Sequence, residues 1–185
     1  MIRNAEELTP DTKWKETAWS CAREEDLADS VSNPRLCVAA LLPFHHGKPD
    51  WQSFERMLLW MSDCADHFGV EITYVLNADT GYVFNLSEEL YEEVIIRFRS
   101  LFPNAYFISG VTAVGASPEN FEASCYHPHL DIAQNYGPCE VMIMTSQALN
   151  ALGAEKRRDA YFQIAEKIKV SALVHALEPA FVPWA

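Results

Sequence analysis

An α/β fold with a mainly parallel sheet is predicted by three features of the sequence. Apolar runs begin at Leu36, Glu71, Ala105, Cys139 and Ser171, a nearly constant interval of βαβ size. The run at Glu71 (EITYVL) is continuous rather than alternating, as a strand buried on both faces of a parallel sheet reads. It then breaks into a polar turn, and the chain restarts at Ser87-Glu88-Glu89 with the chemistry of a helix N-terminus: a capping hydroxyl, then carboxylates on the positive end of the dipole.

The elements follow in order. Residues 1–33 are polar and acidic apart from Trp14, Ala18, Trp19, Cys21 and Leu27, and read as a leader or short helix ahead of a domain over 34–185. A strand is expected over 36–44 (LCVAALLPF), then a polar turn from His45 to Asp50. Helical spacing of Phe54, Met57, Leu58, Met61, Cys64 and Phe68 predicts a helix over 51–68, closed by Gly69 as a left-handed C-cap. Its Phe54, Met57, Trp60 and Met61 are expected in the core rather than at a cofactor. After the Glu71 strand, Leu90, Val94, Ile95, Phe98 and Leu101 form a second helix face, stopped by Pro103.

A third strand is expected over 105–109. Its helix begins at Ser117-Pro118-Glu119, a cap followed by an N1 proline and an acidic residue, and Pro128 interrupts it. His127, His129 and Asp131 fall in or after this helix, away from the strand ends, and take a structural role. The fourth strand spans 139–144. A helix over 154–168 presents Tyr161, Ile164, Ala165 and Ile168, and a fifth strand spans 171–176.

Two closures fit this pattern. One is an open, doubly wound five-stranded sheet. The other is the N-terminal part, about five βα units, of a (β/α)8 TIM barrel, which needs ~250 residues when complete. Neither GxGxxG nor GxxxxGK[ST] occurs, which weakens the nucleotide-binding version of the open sheet.

With 14 Lys and Arg against 26 Asp and Glu, the net charge of -12 excludes nucleic-acid and anionic-membrane partners in favour of a small molecule or protein. Cys21, Cys37, Cys64, Cys125 and Cys139 are odd in number and lack a CxxC pair, which argues against a disulfide framework or zinc ribbon. No apolar run approaches the ~20 residues of a membrane span. A cytoplasmic protein in a reducing compartment is expected.

Ligands of α/β folds sit at the carboxyl ends of the strands, which places Asn77, Asp79 and Thr80 where chemistry occurs. Asp79-Thr80-Gly81 also makes a good turn. His45, His46, Asp79, His175 and Glu178 all fall at predicted strand ends. They would suit a divalent metal that activates water, although none has metal-motif spacing, and a solvated turn explains His45-His46 as well.

The stretch AALLPFHHGKPDWQSFERML over 39–58 is similar to the first strand of the dihydrodipicolinate synthase and N-acetylneuraminate lyase family of class I aldolases, with its Pro-Phe, Gly and Asp. YVLNADTGYVFNLSEE over 74–89 resembles that family's second strand and Gly-Thr-Thr-Gly-Glu loop, followed by Leu-Ser and acidic residues. The Ile108-Ser109-Gly110-Val111 strand, the Ser117-Pro118-Glu119 start and the strand at Cys139 fall where the third and fourth units would. The resemblance covers 36–179, five of eight units.

It implies a lyase or aldolase acting on pyruvate or another 2-oxo acid through a Schiff base, with no cofactor, in a homo-oligomer. Ala78, Asp79, Thr80 and Gly81 would hold the substrate carboxylate or relay protons, and His175 would stand in for the family's relay tyrosine. Asp79 replaces the first loop threonine, Tyr82 the glutamate, and Ser146-Gln147-Ala148 the family's Pro-Tyr-Tyr. The Schiff-base lysine belongs to a sixth strand. Lys13, Lys15, Lys48, Lys156, Lys167 and Lys169 stand on none of the five strands read here, so this chain by itself is not expected to form the iminium. The alternative to catalysis is a binding or assembly domain.

Overall fold

The computed structural model describes residues 35–80 and 85–175. In chain order, β1 (Arg35–Ala40) leads into a small hairpin of β2 (Phe44–His45) and β3 (Lys48–Pro49), followed by α1 (Trp51–Phe68), β4 (Glu71–Asn77) and α2 (Glu88–Leu101). Next come β5 (Phe107–Val111), a 3-10 turn (Ala123–Tyr126), α3 (His127–Asn135), β6 (Glu140–Met144), α4 (Gln147–Asn150), α5 (Ala154–Ala165) and β7 (Ser171–His175). The fold is α/β, with a five-stranded parallel sheet ordered β1-β4-β5-β6-β7.

Chain order and spatial order are the same. A doubly wound sheet reverses its strand order at a switch point, and this sheet does not. With right-handed crossovers, a sequential order stacks the helices on one face, and the core shows this. Register places Tyr74 beside Phe107, Leu76 beside Ser109, Ser109 beside Val141, and Val111 beside Ile143. Tyr74, Leu76, Phe107, Val111, Val141 and Ile143 join one apolar cluster with Phe54 and Leu58 of α1, Ile95 and Phe98 of α2, Leu130 of α3 and Ile164 of α5. Val75, Ile108 and Met144 point the other way and are buried outside that cluster.

Aromatic contacts fix the centre of the helix face. The Tyr74 ring lies 5.0 Å from Phe98 and 5.3 Å from Phe102, and its hydroxyl donates to the Leu58 carbonyl at 3.4 Å. Phe98 in turn lies 5.5 Å from Phe107. On the rim of the α1–α2 contact, Arg97 pairs with Glu55 and Glu93, both at 2.6 Å, and covers the Trp51 ring at 4.6 Å.

Helix α1 has the predicted bounds. Asp50 caps it by accepting from the Ser53 amide at 3.0 Å, and Gly69 closes it at φ 63°. Ser87 caps α2 as expected, accepting from the Leu90 amide at 3.3 Å. Trp60, expected in the core, is 64% exposed. At 3.6 residues per turn it lies well round the helix from Phe54, Leu58 and Met61.

Several boundaries differ from expectation: the fourth strand starts one residue late at Glu140, the helix expected to reach residue 168 ends at Ala165, and three further differences have a visible cause. The first strand stops at Ala40, and Phe44 pairs with Pro49 in the hairpin, whose turn residues His46 (φ 49°) and Gly47 (φ 74°) are both left-handed. The third strand begins at Phe107, two residues late, because the Ala105 amide turns back to the Phe102 carbonyl at 3.3 Å. No helix starts at Ser117. Asn120 returns its amide to the Ser117 carbonyl at 3.1 Å and its side chain accepts from the Ser117 amide, closing a single turn. The helix forms later as α3, where Pro128 sits in the first turn and needs no donor, so it begins the helix rather than interrupting it.

Beneath the sheet, Arg99 ties together the exits of two helices. Its guanidinium donates to the carbonyls of Pro103 (3.2 Å), Ala105 (2.8 Å), Tyr136 (3.2 Å) and Gly137 (3.0 Å) and lies 4.4 Å from the Phe107 ring centre. These carbonyls lie at the chain reversals leading into β5 and β6, where orphaned acceptors are costly. Arg99→Met is expected to lower unfolding free energy by about 2–3 kcal/mol in urea titrations. Arg99→Lys should recover little of it, since one ammonium cannot span four divergent carbonyls.

Candidate functional site

The carboxyl ends of β4 to β7 form the edge where ligands of parallel sheets bind. The loop leaving β4 is held there by backbone bonds. The Ala78 amide donates to the Gly110 carbonyl at 2.8 Å, which extends the β4–β5 ladder by one residue, and the Leu86 amide returns to the Ala78 carbonyl at 2.9 Å. Asp79 and Asn85 face each other across an antiparallel bridge, and the Asn85 side-chain amide donates to the Ala113 carbonyl at 3.0 Å. The loop therefore folds back on itself and is stapled to the exit of β5. Ala78 and Asp79 are buried and Thr80 is half-buried. Gly81 and Tyr82 lie outside the described residues.

Of the predicted site residues, Ala78, Asp79 and Thr80 are therefore contiguous at one edge, with Asn77 and Gly110 beside them. His175 is not. It ends β7, in register with Met144, and β5 and β6 stand between it and β4. Three strand spacings amount to about 14 Å across a flat sheet, more than a three-carbon acid spans. Glu178 lies outside the described residues.

His45 and His46 occupy the exposed β2–β3 hairpin with their rings 4.1 Å apart. Among the described residues, no three His, Cys, Asp or Glu side chains gather as a metal-binding group. Lys48, placed in a turn by the sequence, stands on β3, a strand of the exposed hairpin and not of the five-stranded sheet. Ser146 spends its hydroxyl as the cap of α4, accepting from the Leu149 amide at 3.1 Å, while Thr145 donates to Asn150 at 2.8 Å. A phenol does reach the end of β6 from elsewhere: Tyr126 donates to the Met144 carbonyl at 2.6 Å.

His129 differs from expectation. Rather than lying away from the strand ends, it is fully buried behind the exit of β5, and its Nδ1 donates to the Thr112 carbonyl at 3.2 Å. That contact requires the neutral ring to carry its proton on Nδ1. Its Nε2 is buried against the Leu86 backbone without hydrogen-bond geometry, and its ring meets Tyr91 edge-on at 5.0 Å. Tyr91, missed in reading the apolar face of α2, is fully buried. Burial drives its phenol upward, opposed by the neighbouring Ser109 hydroxyl, although neither hydroxyl reaches hydrogen-bond geometry. His129 and Tyr91 thus form a polar layer under both loops of the edge.

Below the loop, on the face opposite the helices, Asn77 lies beside Gly110. A Cβ at Gly110 would collide with Asn77 Oδ1 and stand 2.9 Å from Met144 Sδ. Asn77 Oδ1 is buried and meets no hydrogen-bond partner among the described residues. Comparison of the chain with family models, curated proteins and solved structures finds no match in any of the three.

Burial holds the His129 imidazole below its ordinary range, with the Thr112 and Leu86 backbone acting against it. The unfolded chain therefore takes up this proton at higher pH than the folded one. Its contribution to stability should be complete above about pH 6.5, the unfolded value, and should shrink as pH falls toward the folded value. Urea titrations at about pH 7.5 and about pH 5 should show a larger loss for the wild type than for His129→Asn.

Proposed function

We propose that this chain is the N-terminal portion of a (β/α)8 barrel of the dihydrodipicolinate synthase and N-acetylneuraminate lyase type, and that its carboxyl edge holds a small 2-oxo acid. The reaction would be that of a lyase or aldolase whose Schiff-base lysine stands on a further strand. The observation that carries the reading is the start of the loop after β4, where Ala78 and Asp79 are buried and the Ala78 amide and the Asn85 side chain are bonded to the exit of β5, where the resembling family binds carboxylate. Sequential strand order and the gathering of α1, α2, α3 and α5 on one face among the described residues support the barrel, since that winding curls a sheet toward closure with its helices outside.

Thr80 supplies a hydroxyl to the carboxylate or to a proton relay. Asp79, buried where the family has a threonine, disfavours an anion unless paired or protonated. His175 joins such a site only once the sheet curves enough to bring β7 round toward β4. In the complete barrel, amine attack on the 2-oxo carbon expels water and leaves an iminium that accepts electrons from the breaking carbon–carbon bond.

Saturation-transfer NMR with pyruvate on the 185-residue chain should show saturable binding, weakened about tenfold by Thr80→Val through loss of one charge-assisted hydrogen bond. Borohydride treatment of the same mixture should leave the intact mass unchanged, because Lys48, Lys156, Lys167 and Lys169 are all exposed and none lies in the sheet. Absence of saturable binding, or an adduct on any of these lysines, overturns the reading.

A second reading, a binding or assembly domain, is favoured by β7. Val174 shares a face with Val111 and Ile143, both fully buried, yet is 53% exposed, and Leu173 on the other face is 37% exposed. An edge strand uncovered on both faces is a pairing surface. Sedimentation velocity should show concentration-dependent self-association under this reading, and a monodisperse monomer would remove it.

A further inference from the structure

We propose that His129 is a proton-operated latch at the carboxyl edge: its neutral ring clasps the exit of β5 and the entrance of α2, and its charged ring releases both while the sheet below stays folded. The geometry carries this. His129 is fully buried, with Nδ1 donating to the Thr112 carbonyl just past β5 at 3.2 Å and Nε2 set against the Leu86 backbone just before the α2 cap. Two segments remote in sequence thus meet on one imidazole.

Each segment has few bonds of its own. The Leu86 amide donates to the Ala78 carbonyl at 2.9 Å, and the Asn85 side chain donates to the Ala113 carbonyl at 3.0 Å. The Val114 amide donates at 2.8 Å to the Cys125 carbonyl, in the turn that leads into α3. These are single bonds rather than ladders, so they open at lower free energy than the strands. The centre of the sheet is held separately, by Tyr74, Phe98, Phe102 and Phe107 packing on one another. Asp79 is bridged to Asn85, so release also frees the root of the candidate site.

Among the described residues, no carboxylate balances a charge on this ring. Tyr91 meets it edge-on from α2, and β5 contributes the Ser109 hydroxyl beside Tyr91. In the turn before α3, Cys125 is half-buried and Tyr126 spends its phenol on the Met144 carbonyl. His127 and Asp131 stand two residues to either side on α3, hence on its opposite flank. Neither they, nor Asp79 in the loop, nor the exposed Glu88 of α2 acts on the ring. An imidazolium there has only the Thr112 and Leu86 backbone to set against lost hydration, and burial outweighs them. The proton is therefore taken up by the open form, in which the ring reaches water, and its uptake holds that form open.

Amide hydrogen exchange followed by NMR on the full chain, without ligand, tests the latch at about pH 7.5 and about pH 5. Corrected for intrinsic rates, protection of the Leu86 and Val114 amides should fall about tenfold or more, since the open ring titrates at its ordinary value of about 6.5. At both pH values these two amides should exchange with little dependence on low urea, and the amides of β6 with the steep dependence of global unfolding. His129→Asn should remove the pH dependence at Leu86 and Val114. The latch is overturned if these amides share the rate and urea dependence of β6, if their protection is the same at both pH values, or if the fall survives His129→Asn. Should that variant not fold, the first two comparisons on the wild type decide. The measurement needs no substrate, so pyruvate failing to bind sinks the function proposed above and leaves the latch standing.

Discussion

The parallel register of β4 on β5 is the constraint on which everything else rests. With Tyr74 set beside Phe107 and Leu76 beside Ser109, every second side chain of both strands goes to the helices and the remainder go to the other face. A slip of one residue would turn the Tyr74 and Phe98 rings away from each other and send Asn77 into the helix layer. The aromatic cluster of Tyr74, Phe98, Phe102 and Phe107 opposes that slip, since a one-residue shift would turn Tyr74 or Phe107 to the other face and part its ring from Phe98. The bond from the Ala78 amide to the Gly110 carbonyl carries the same register into the loop, so the packing at the centre of the sheet sets where the edge residues stand.

Among the described residues, the buried side-chain polar atoms left unmatched lie at this edge or under it. Asn77 Oδ1 and Ser109 Oγ belong to the two central strands, and Tyr91 Oη and His129 Nε2 approach from α2 and α3. Each costs stability in a region otherwise closed by Leu76, Ile95 and Leu130. A core selected for stability alone would hold apolar residues of the same size at these positions. They concentrate toward the carboxyl end, whereas at the opposite end Arg99 satisfies the carbonyls of the reversals that follow α2 and α3.

Much of the fold was legible because its signals are local. Asp50, Gly69 and Ser87 act through their own backbone neighbourhood, and the helix bounds they mark are those observed. Where element boundaries departed from the reading, the deciding contact is a side-chain hydrogen bond a few residues away that no helix or strand signal announces. The start of β5 depends on a carbonyl held by Arg99 from the end of α2, and Ser117-Pro118-Glu119 carries every local mark of a helix start but is captured by Asn120 into a single turn. At the site, the polar turn after β4 was visible as a place. The burial of Asp79, the distance of His175 and the presence of His129 beneath the loop follow from which strands are neighbours, and strand order is not written in any one segment.

The sequential strand order also bears on how the chain acquires its structure. From β4 onward, each strand added to the sheet pairs with the one made just before it, across a single helical crossover, so the ladders close only modest loops. For a parallel sheet this is low contact order, and it lets the growing edge be extended as the polypeptide emerges, without waiting for a distant partner. A doubly wound sheet, whose later strands must return to the far side of the first, lacks that property. The same growth rule leaves the most recently made strand as the exposed template at each stage, and β7, with Val174 53% exposed, is the edge most open to capture by a neighbouring nascent chain.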